Sequence, residues 1–321
     1  MLAVTCTSQS TDAPLTGLTV GQVPEPSVPD GWARVRVKAA ALNHHDLWSL
    51  RGVGLAADRL PMILGCDAAG VTDDGREVVV HALIGNPDWT GDETLDPART
   101  ILSELHQGTL AEYVVVPRRN LVDKPAALSF EQAACLPTAW LTAYRMLFTQ
   151  AGLRPGDRVL VQGAGGGVAS AAIALAHAAG LVVYATSRDE GKRAKALELG
   201  AQEVFDSGAR LPEKMDAVLE TVGKATWSHS MRALRPGGTL VVSGATSGAD
   251  PSADLNRLFF LQLRVVGSTM GTRDELAGLL RLLAATGVTP VIDEIFPLAD
   301  AHRAFTRLET GNVFGKLVVT P

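Results

Sequence analysis

The stretch Val159-Leu160-Val161-Gln162-Gly163-Ala164-Gly165-Gly166-Gly167-Val168-Ala169-Ser170 runs directly into Ala171-Ala172-Ile173-Ala174-Leu175-Ala176. A short apolar run enters a cluster of glycines, and a small-residue run at helical spacing leaves it. Pattern and punctuation read as strand, tight turn, helix. Such a turn lets backbone N–H groups approach a diphosphate, and the helix N-terminus adds partial positive charge. An ordinary strand-to-helix turn has the same outline, so the surrounding chain decides the reading.

Around this stretch, strand-like runs alternate with helical ones at 158–162, 181–186, 203–205, 215–219, 239–243 and 264–269. That alternation is the signature of βαβ units and a parallel sheet. Gly180, Gly200 and Gly287 fall where helices should end. The turn Arg235-Pro236-Gly237-Gly238 leads into the fifth run. Units that bind NAD place an acid at the end of the second strand, about 20 residues after the glycine turn, to bond the ribose 2′-hydroxyl. Here Ser187 occupies that place, followed by Arg188, with Lys192 one turn further. A hydroxyl and a guanidinium suit a 2′-phosphate, and no carboxylate repels it. The expectation is NADP(H); a solvated helix face is the competing reading of Arg188 and Lys192.

The 321 residues favour two domains, and 46% hydrophobic with 20% charged residues is ordinary for a chain with a sizeable core. A net charge of −5 argues against nucleic acid as a partner. No apolar run is long enough to span a bilayer, and the N-terminus carries no signal-peptide pattern. Cys6, Cys66 and Cys135 are odd in number and widely spaced, which points to reduced thiols and a cytoplasmic location.

Residues 1–125 read as strand-rich. Trp32–Lys38 alternates apolar and basic residues, and Arg76–Val80 and Tyr113–Val116 are further strands. Between Gly85 and Thr109 the chain turns polar and loses periodicity, as a surface excursion does. Asn43-His44-His45-Asp46-Leu47-Trp48 is chemically dense. Adjacent helical histidines point about 100° apart, however, so one metal rarely takes both, and no spacing matches a closed zinc site. Ser129 to Gln150 reads as helical, with Ser129 the N-cap and Pro137 a break.

Taken together, Asn43–Asp46, Gly65–Gly70, Gly108–Tyr113, the glycine turn, Leu199-Gly200-Ala201, Arg235–Gly238 and Gly315-Lys316-Leu317-Val318 resemble, in order, the medium-chain dehydrogenases/reductases. The chain is most similar to their zinc-independent, quinone-oxidoreductase-like branch. The resemblance implies an α/β protein with two parts. Residues 1–138 and 269–321 would form a GroES-like, partly barrel-like β domain, and residues 139–268 a Rossmann domain with a doubly wound parallel sheet. The active site of this family lies in the cleft between them.

In zinc-dependent relatives the positions aligned with Asn43, Cys66–Asp67 and Thr138 hold a Cys, a His–Glu pair and another Cys. Only one thiol remains here, and Asn and Thr are poor zinc ligands. The structural-zinc cysteines would fall within Gly85–Thr109, which has none. The expectation is therefore no metal. The glycine turn also departs, with Ala169 where similar reductases often have Gly, a position that tolerates Ala.

Without a Lewis acid, the expected chemistry is hydride delivery from NADPH to a quinone or an activated alkene or carbonyl. Gly163, Gly166, Gly167 and Val168 would hold the pyrophosphate, and Ser187, Arg188 and Lys192 the 2′-phosphate. By resemblance, Val222-Gly223, Gly244-Ala245-Thr246, Met270-Gly271 and Lys316 would border the nicotinamide half or complete its pocket. Asn43 and Asp46 are the candidate catalytic residues: Asn43 orienting acceptor or cofactor, Asp46 acting directly or ordering a helix terminus. Trp48 and Thr138 would line the substrate pocket. Trp48 stands where many relatives have a tyrosine, and indole is no proton donor. The rival readings are an alcohol dehydrogenase with zinc on Cys66, Asp67 and His44 or His45, and a nucleotide-binding protein without turnover. The family's habit of pairing edge strands implies a homodimer through Leu263–Ser268.

Overall fold

One ten-residue strand, Trp32–Ala41, organises the first part of the molecule. The computed structural model describes residues 1–321, which divide into two units: Met1–Leu141 with Met270–Pro321, and Thr142–Thr269. In the first half of the long strand Ala33, Val35 and Val37 are buried at period two, and Tyr113–Pro117 pairs along it. After a register irregularity between Val37 and Ala39 the strand runs through Ala39-Ala40-Ala41, all buried, where only small side chains fit. There Lys316–Thr320 takes over the edge, and Asp67–Thr72 pairs on the other side. The resulting seven-stranded sheet also holds Leu121–Asp123, Glu77–Val80 and Ile292–Pro297. A smaller sheet joins Leu18–Gln22, Leu2–Cys6 and Met62–Ile63. Their shared core includes Val35, Leu64, Val80, Phe296 and Phe305.

The register fixes what lies side by side. Ala41 pairs with Asp67 on one flank and Val318 on the other, and Leu42 N–H donates to Leu317 O. The end of one strand and the starts of two others therefore meet at Asn43, Asp67 and Lys316. Packing is close: a Cβ on Gly65, whose φ is +94°, would lie 2.6 Å from Thr109 Oγ1, and one on Gly70 would lie 2.2 Å from Arg36 O.

The segment Gly85–Thr109 is more ordered than its composition suggests. Thr100–Ile101 pairs with Leu83–Ile84, and a single turn forms at Glu93–Leu95. Ser129 caps Phe130–Ala134 with a reciprocal bond to Gln132, and the break at Pro137 is a wide π-type turn, Leu136–Trp140. Thr272 likewise caps Arg273–Thr286, which stops at Gly287 in the left-handed region.

In the second unit six parallel strands lie in the order Glu203–Phe205, Val182–Thr186, Arg158–Val161, Met215–Glu220, Leu234–Val242, Arg264–Gly267. This is the doubly wound order, with its switch point between the strands ending at Val161 and Glu220. The helices Gly167–Ala178 and Glu190–Glu198 close near Gly180 and Gly200, both at positive φ. The fifth strand starts earlier than its apolar run, at Leu234, and the Arg235–Gly238 turn is the irregularity in its pairing. No helix in the molecule is long and apolar enough to cross a membrane.

Candidate functional site

At the meeting point of the three strands, four side chains form a closed polar cluster within the first unit. Lys316, 3% exposed, donates to Leu42 O (2.7 Å), Asn43 Oδ1 (2.6 Å) and Asp67 Oδ2 (3.2 Å). Asn43 Nδ2 donates to Asp67 Oδ2 (2.9 Å) and Ala41 O (3.3 Å), and Thr138 Oγ1 donates to Asp67 Oδ1 (2.5 Å). Asp67 is wholly buried, and its carboxylate is satisfied by one ammonium, one amide and one hydroxyl. A buried ion pair persists only with such additional bonds. All three ammonium protons of Lys316 thus face acceptors inside this unit. The Asn43 amide is equally engaged, which makes Asn43 an organiser of the cluster. Thr138, partly exposed, also lies 3.4 Å from Cys66 Sγ, whose proton its oxygen can accept.

Asp46 does something different. Its carboxylate accepts from Asn43 N (2.8 Å) and Gly65 N (3.1 Å), capping the helix His44–Leu50 and pinning the Gly65 turn. Complete burial pushes its pKa up to about 6. Asp46 is therefore placed as the element that orders a helix terminus. Trp48 is 37% exposed, with the Arg51 guanidinium 5.7 Å from its ring centroid. His45 faces Glu104 at 3.9 Å, away from the Asp67 cluster. Met270 and Gly271 belong to the first unit. Met270 is packed into its apolar core, and a Cβ on Gly271 would lie 2.6 Å from Leu141.

In the second unit the glycine turn stands at the carboxyl edge of the sheet. Gly163 and Gly165 have φ of +71° and +138°, and Gly166 is the N-cap of the twelve-residue helix Gly167–Ala178. A Cβ on Gly163 would strike Val222 at 2.7 Å, and one on Gly165 would strike the Lys192 side chain at 2.6 Å. A Cβ on Gly166 would meet nothing within 4 Å, which leaves space beside an unpaired helix N-terminus. Ser187 Oγ accepts from Asp189 N (3.2 Å), so its own proton is available. Asp189, the nearest acid, caps its own helix through Lys192 N (2.8 Å). Arg188 is exposed, while Arg193 donates to Ser187 O (2.7 Å) and fixes the backbone there. The loops after the fourth and fifth strands pack together: Ser247 N donates to Val222 O (2.8 Å), and Thr246 N to Thr221 O (3.4 Å). A Cβ on Gly244 would meet Thr221 O at 3.0 Å, and one on Gly223 would meet Ala245 Cα at 2.9 Å.

Beneath this edge lies a buried network that the sequence reading did not single out. Glu220, wholly buried, accepts from Val222 N (2.8 Å), Gly223 N (3.0 Å), Thr226 Oγ1 and Ser230 Oγ (2.6 Å). Gln162 Nε2 donates to Ser230 Oγ and to His229 Nδ1, and Gln162 Oε1 accepts from Thr186 Oγ1 (2.6 Å). Three of the loops leaving the sheet are therefore tied together from below. The only sequence signal was polar residues, Gln162, Thr186 and Glu220, ending otherwise apolar strands.

A parallel sheet with an anion-ready glycine turn defines a dinucleotide-binding unit, here joined to a β unit with a buried polar cluster. The family model of the alcohol dehydrogenase GroES-like domain matches residues 29–126, and that of zinc-binding dehydrogenases matches residues 167–285. The acryloyl-coenzyme A reductase of Sulfurisphaera tokodaii is 30% identical over 331 residues, covering 96% of this chain and 98% of that protein. A solved NAD-dependent alcohol dehydrogenase is 35% identical with a TM-score of 0.93 and full coverage of both chains. The 2-octenoyl-CoA carboxylase reductase CinF, solved with NADP and 2-octenoyl-CoA, is 26% identical with a TM-score of 0.90, covering 99% of this chain and 87% of that one. The chain belongs to the medium-chain dehydrogenase/reductase superfamily, in its enoyl-reductase-like branch, and is an oxidoreductase.

The zinc in the name of one matching family does not fit these residues. The aligned positions are Asn43, Cys66, Asp67 and Thr138, two of them neutral groups that bind zinc poorly, and the rival set draws on Cys66, Asp67 and His44 or His45. Cys66 is held as a thiol, its pKa pushed well up by burial and then by the Asp67 and Asp46 carboxylates. The Asp67 carboxylate already has the Lys316 ammonium as its cation. No three His, Cys, Asp or Glu side chains anywhere in the chain come together as a metal site.

Proposed function

We propose that the protein is a zinc-independent, NADPH-dependent reductase of alkenes conjugated to a carbonyl or thioester. The observation that carries this reading is that Asn43, Asp67 and Thr138, which align with the zinc-site residues of zinc-dependent relatives, are bonded to one another and to the Lys316 ammonium. An ammonium is no Lewis acid, and with all three protons bonded internally it has none to offer an alcohol or carbonyl oxygen. The acceptor must then arrive already electrophilic. Relatives that reduce enoyl thioesters support the alkene, and a quinone shares its electrophilic character.

Bound NADPH supplies the hydride. The chain's own part is to hold and select it: Gly163, Gly166, Gly167 and Val168 offer backbone and helix N-terminus to the pyrophosphate. Ser187 offers a proton, and Arg188 an exposed guanidinium with Lys192 nearby, to the 2′-phosphate. Val222, Gly223, Gly244, Ala245 and Thr246 form the rim beyond the switch point, where ligands of such sheets bind. Thr138 and Trp48 face the acceptor. The edge strand Arg264–Gly267 pairs on one side only, beside the exposed Phe259 and Phe260, and supports a homodimer. Three buried free thiols suit a reducing cytoplasm.

The test is oxidation of NADPH and NADH by the full-length protein with acryloyl-CoA, 2-octenoyl-CoA or a benzoquinone, alongside reduction of NADP⁺ and NAD⁺ with simple alcohols. Turnover of the alkenes with a lower KM for NADPH is expected. Turnover confined to alcohols and NAD⁺ contradicts the proposal.

A further inference from the structure

Glu220 is a wholly buried carboxylate with no cation of its own. Its four partners are the Val222 and Gly223 N–H groups and the Thr226 and Ser230 hydroxyls. The Ser230 proton must point at Glu220, because Gln162 Nε2 donates to the Ser230 oxygen at 2.9 Å. The nearest imidazole, His229, accepts from Gln162 at Nδ1 and donates to Ala209 O from Nε2 (2.8 Å), the pattern of a neutral ring. Lys224, the first residue of the following helix, turns outward to Asp250 (3.1 Å). The charge is thus held by dipoles alone.

Its location gives this charge a use. Glu220 ends the fourth strand, one flank of the switch point, and bonds directly to the backbone of Val222 and Gly223. The Val222 side chain in turn packs against Gly163 of the glycine turn. Hydride donation converts a neutral dihydronicotinamide ring into a cation, with one C–H bond broken and the electron pair leaving with the hydrogen. A fixed negative charge behind the rim favours the cationic form and leaves the neutral form nearly untouched.

We propose that Glu220 tunes the coenzyme by its field, binding the oxidised form more tightly than the reduced form and so making the bound reduced form a stronger hydride donor. This rests on the proposed coenzyme site and deepens it, since it sets the favoured direction of the reaction. Glu220 is a positioning residue, acting through the loop backbone and its charge.

The experiment is titration of the full-length protein with NADP⁺ and with NADPH by calorimetry, for the wild type, Glu220→Gln and Glu220→Asp. Glu220→Gln is expected to lower the preference for NADP⁺ over NADPH by about tenfold. Glu220→Asp, which keeps the charge, restores most of it. Equal weakening of both affinities in Glu220→Gln assigns the residue a purely structural role and overturns the proposal. Should Glu220→Gln not fold, Ser230→Ala keeps the charge and removes one compensating donor. A rise in the NADP⁺ preference is then expected, and an unchanged ratio overturns the proposal. If NAD⁺ and NADH bind instead, the 2′-phosphate assignment fails while the same ratio, measured with that pair, still decides the role of Glu220. If no nicotinamide coenzyme binds, the site reading and this proposal fall together.

Discussion

The two units treat charge in opposite ways. In the first, Lys316 and Asp67 are buried together and every ammonium proton has an internal acceptor. In the second, Arg188 stands exposed after the second strand, the glycine turn has empty space at Gly166, and the buried charge, Glu220, is countered only by dipoles. A charge that organises a fold is neutralised internally. The β unit is closed around its own ion pair, and the parallel-sheet unit keeps an open glycine turn at the carboxyl edge of its sheet.

The sharpest way to break this contrast is to remove the internal cation. Lys316→Met leaves Asp67 buried and unpaired, and a stability loss of about 3–5 kcal/mol in urea denaturation is expected. A loss under about 1 kcal/mol shows that the cluster is not a compensated ion pair. Asp46 gives a pH-dependent test in the same unit. Its folded pKa, about 6, lies above its ordinary value, so the folded state binds the proton more tightly. Its stabilising contribution is full below about pH 4 and falls by about 3 kcal/mol as pH rises through 6. The difference in stability between wild type and Asp46→Asn should carry this slope from pH 4 to 7, and a flat difference contradicts it.

In the second unit, Arg188→Ala should weaken NADPH binding by about 2 kcal/mol and leave NADH binding unchanged, as fluorescence titration of both coenzymes reports. Equal effects on the two coenzymes remove the 2′-phosphate assignment. The smallest effect is expected at Ala169, buried in the helix that leaves the glycine turn. Ala169→Gly restores the family's commoner residue, yet should lower stability by up to about 1 kcal/mol through helix propensity, with coenzyme affinity unchanged. Tighter binding in that variant would mean that the alanine distorts the turn.

What was legible in the sequence follows the same division. The glycine turn, the alternating strands and the helix ends at Gly180, Gly200 and Gly287 are local signals, written in neighbouring residues. Ser187 and Arg188 could be read because the spacing from strand to strand is short. Lys316 could not be placed from its neighbours: it lies 249 positions from Asp67, and only the pairing of Lys316–Thr320 with Trp32–Ala41 brings them together. Its ammonium is directed into the Asn43–Asp67 cluster. Glu220 escaped notice because a lone acid after an apolar strand looks like a loop residue until its donors are known. The order within Gly85–Thr109 was hidden because its bonds are made by side chains, such as Asp96 accepting from Asn86 N and Glu93 pairing with His81, not by apolar periodicity.

In the proposed function an internal ammonium, with no metal, organises the β unit while NADPH bound to the second unit would supply the hydride. That function is tested most directly by NADPH-dependent reduction of acryloyl-CoA, measured before and after exhaustive chelation, with metal content determined by atomic emission. The same kcat is expected in metal-free protein, with no gain when zinc is added. Activity that disappears on chelation and returns with zinc would contradict it.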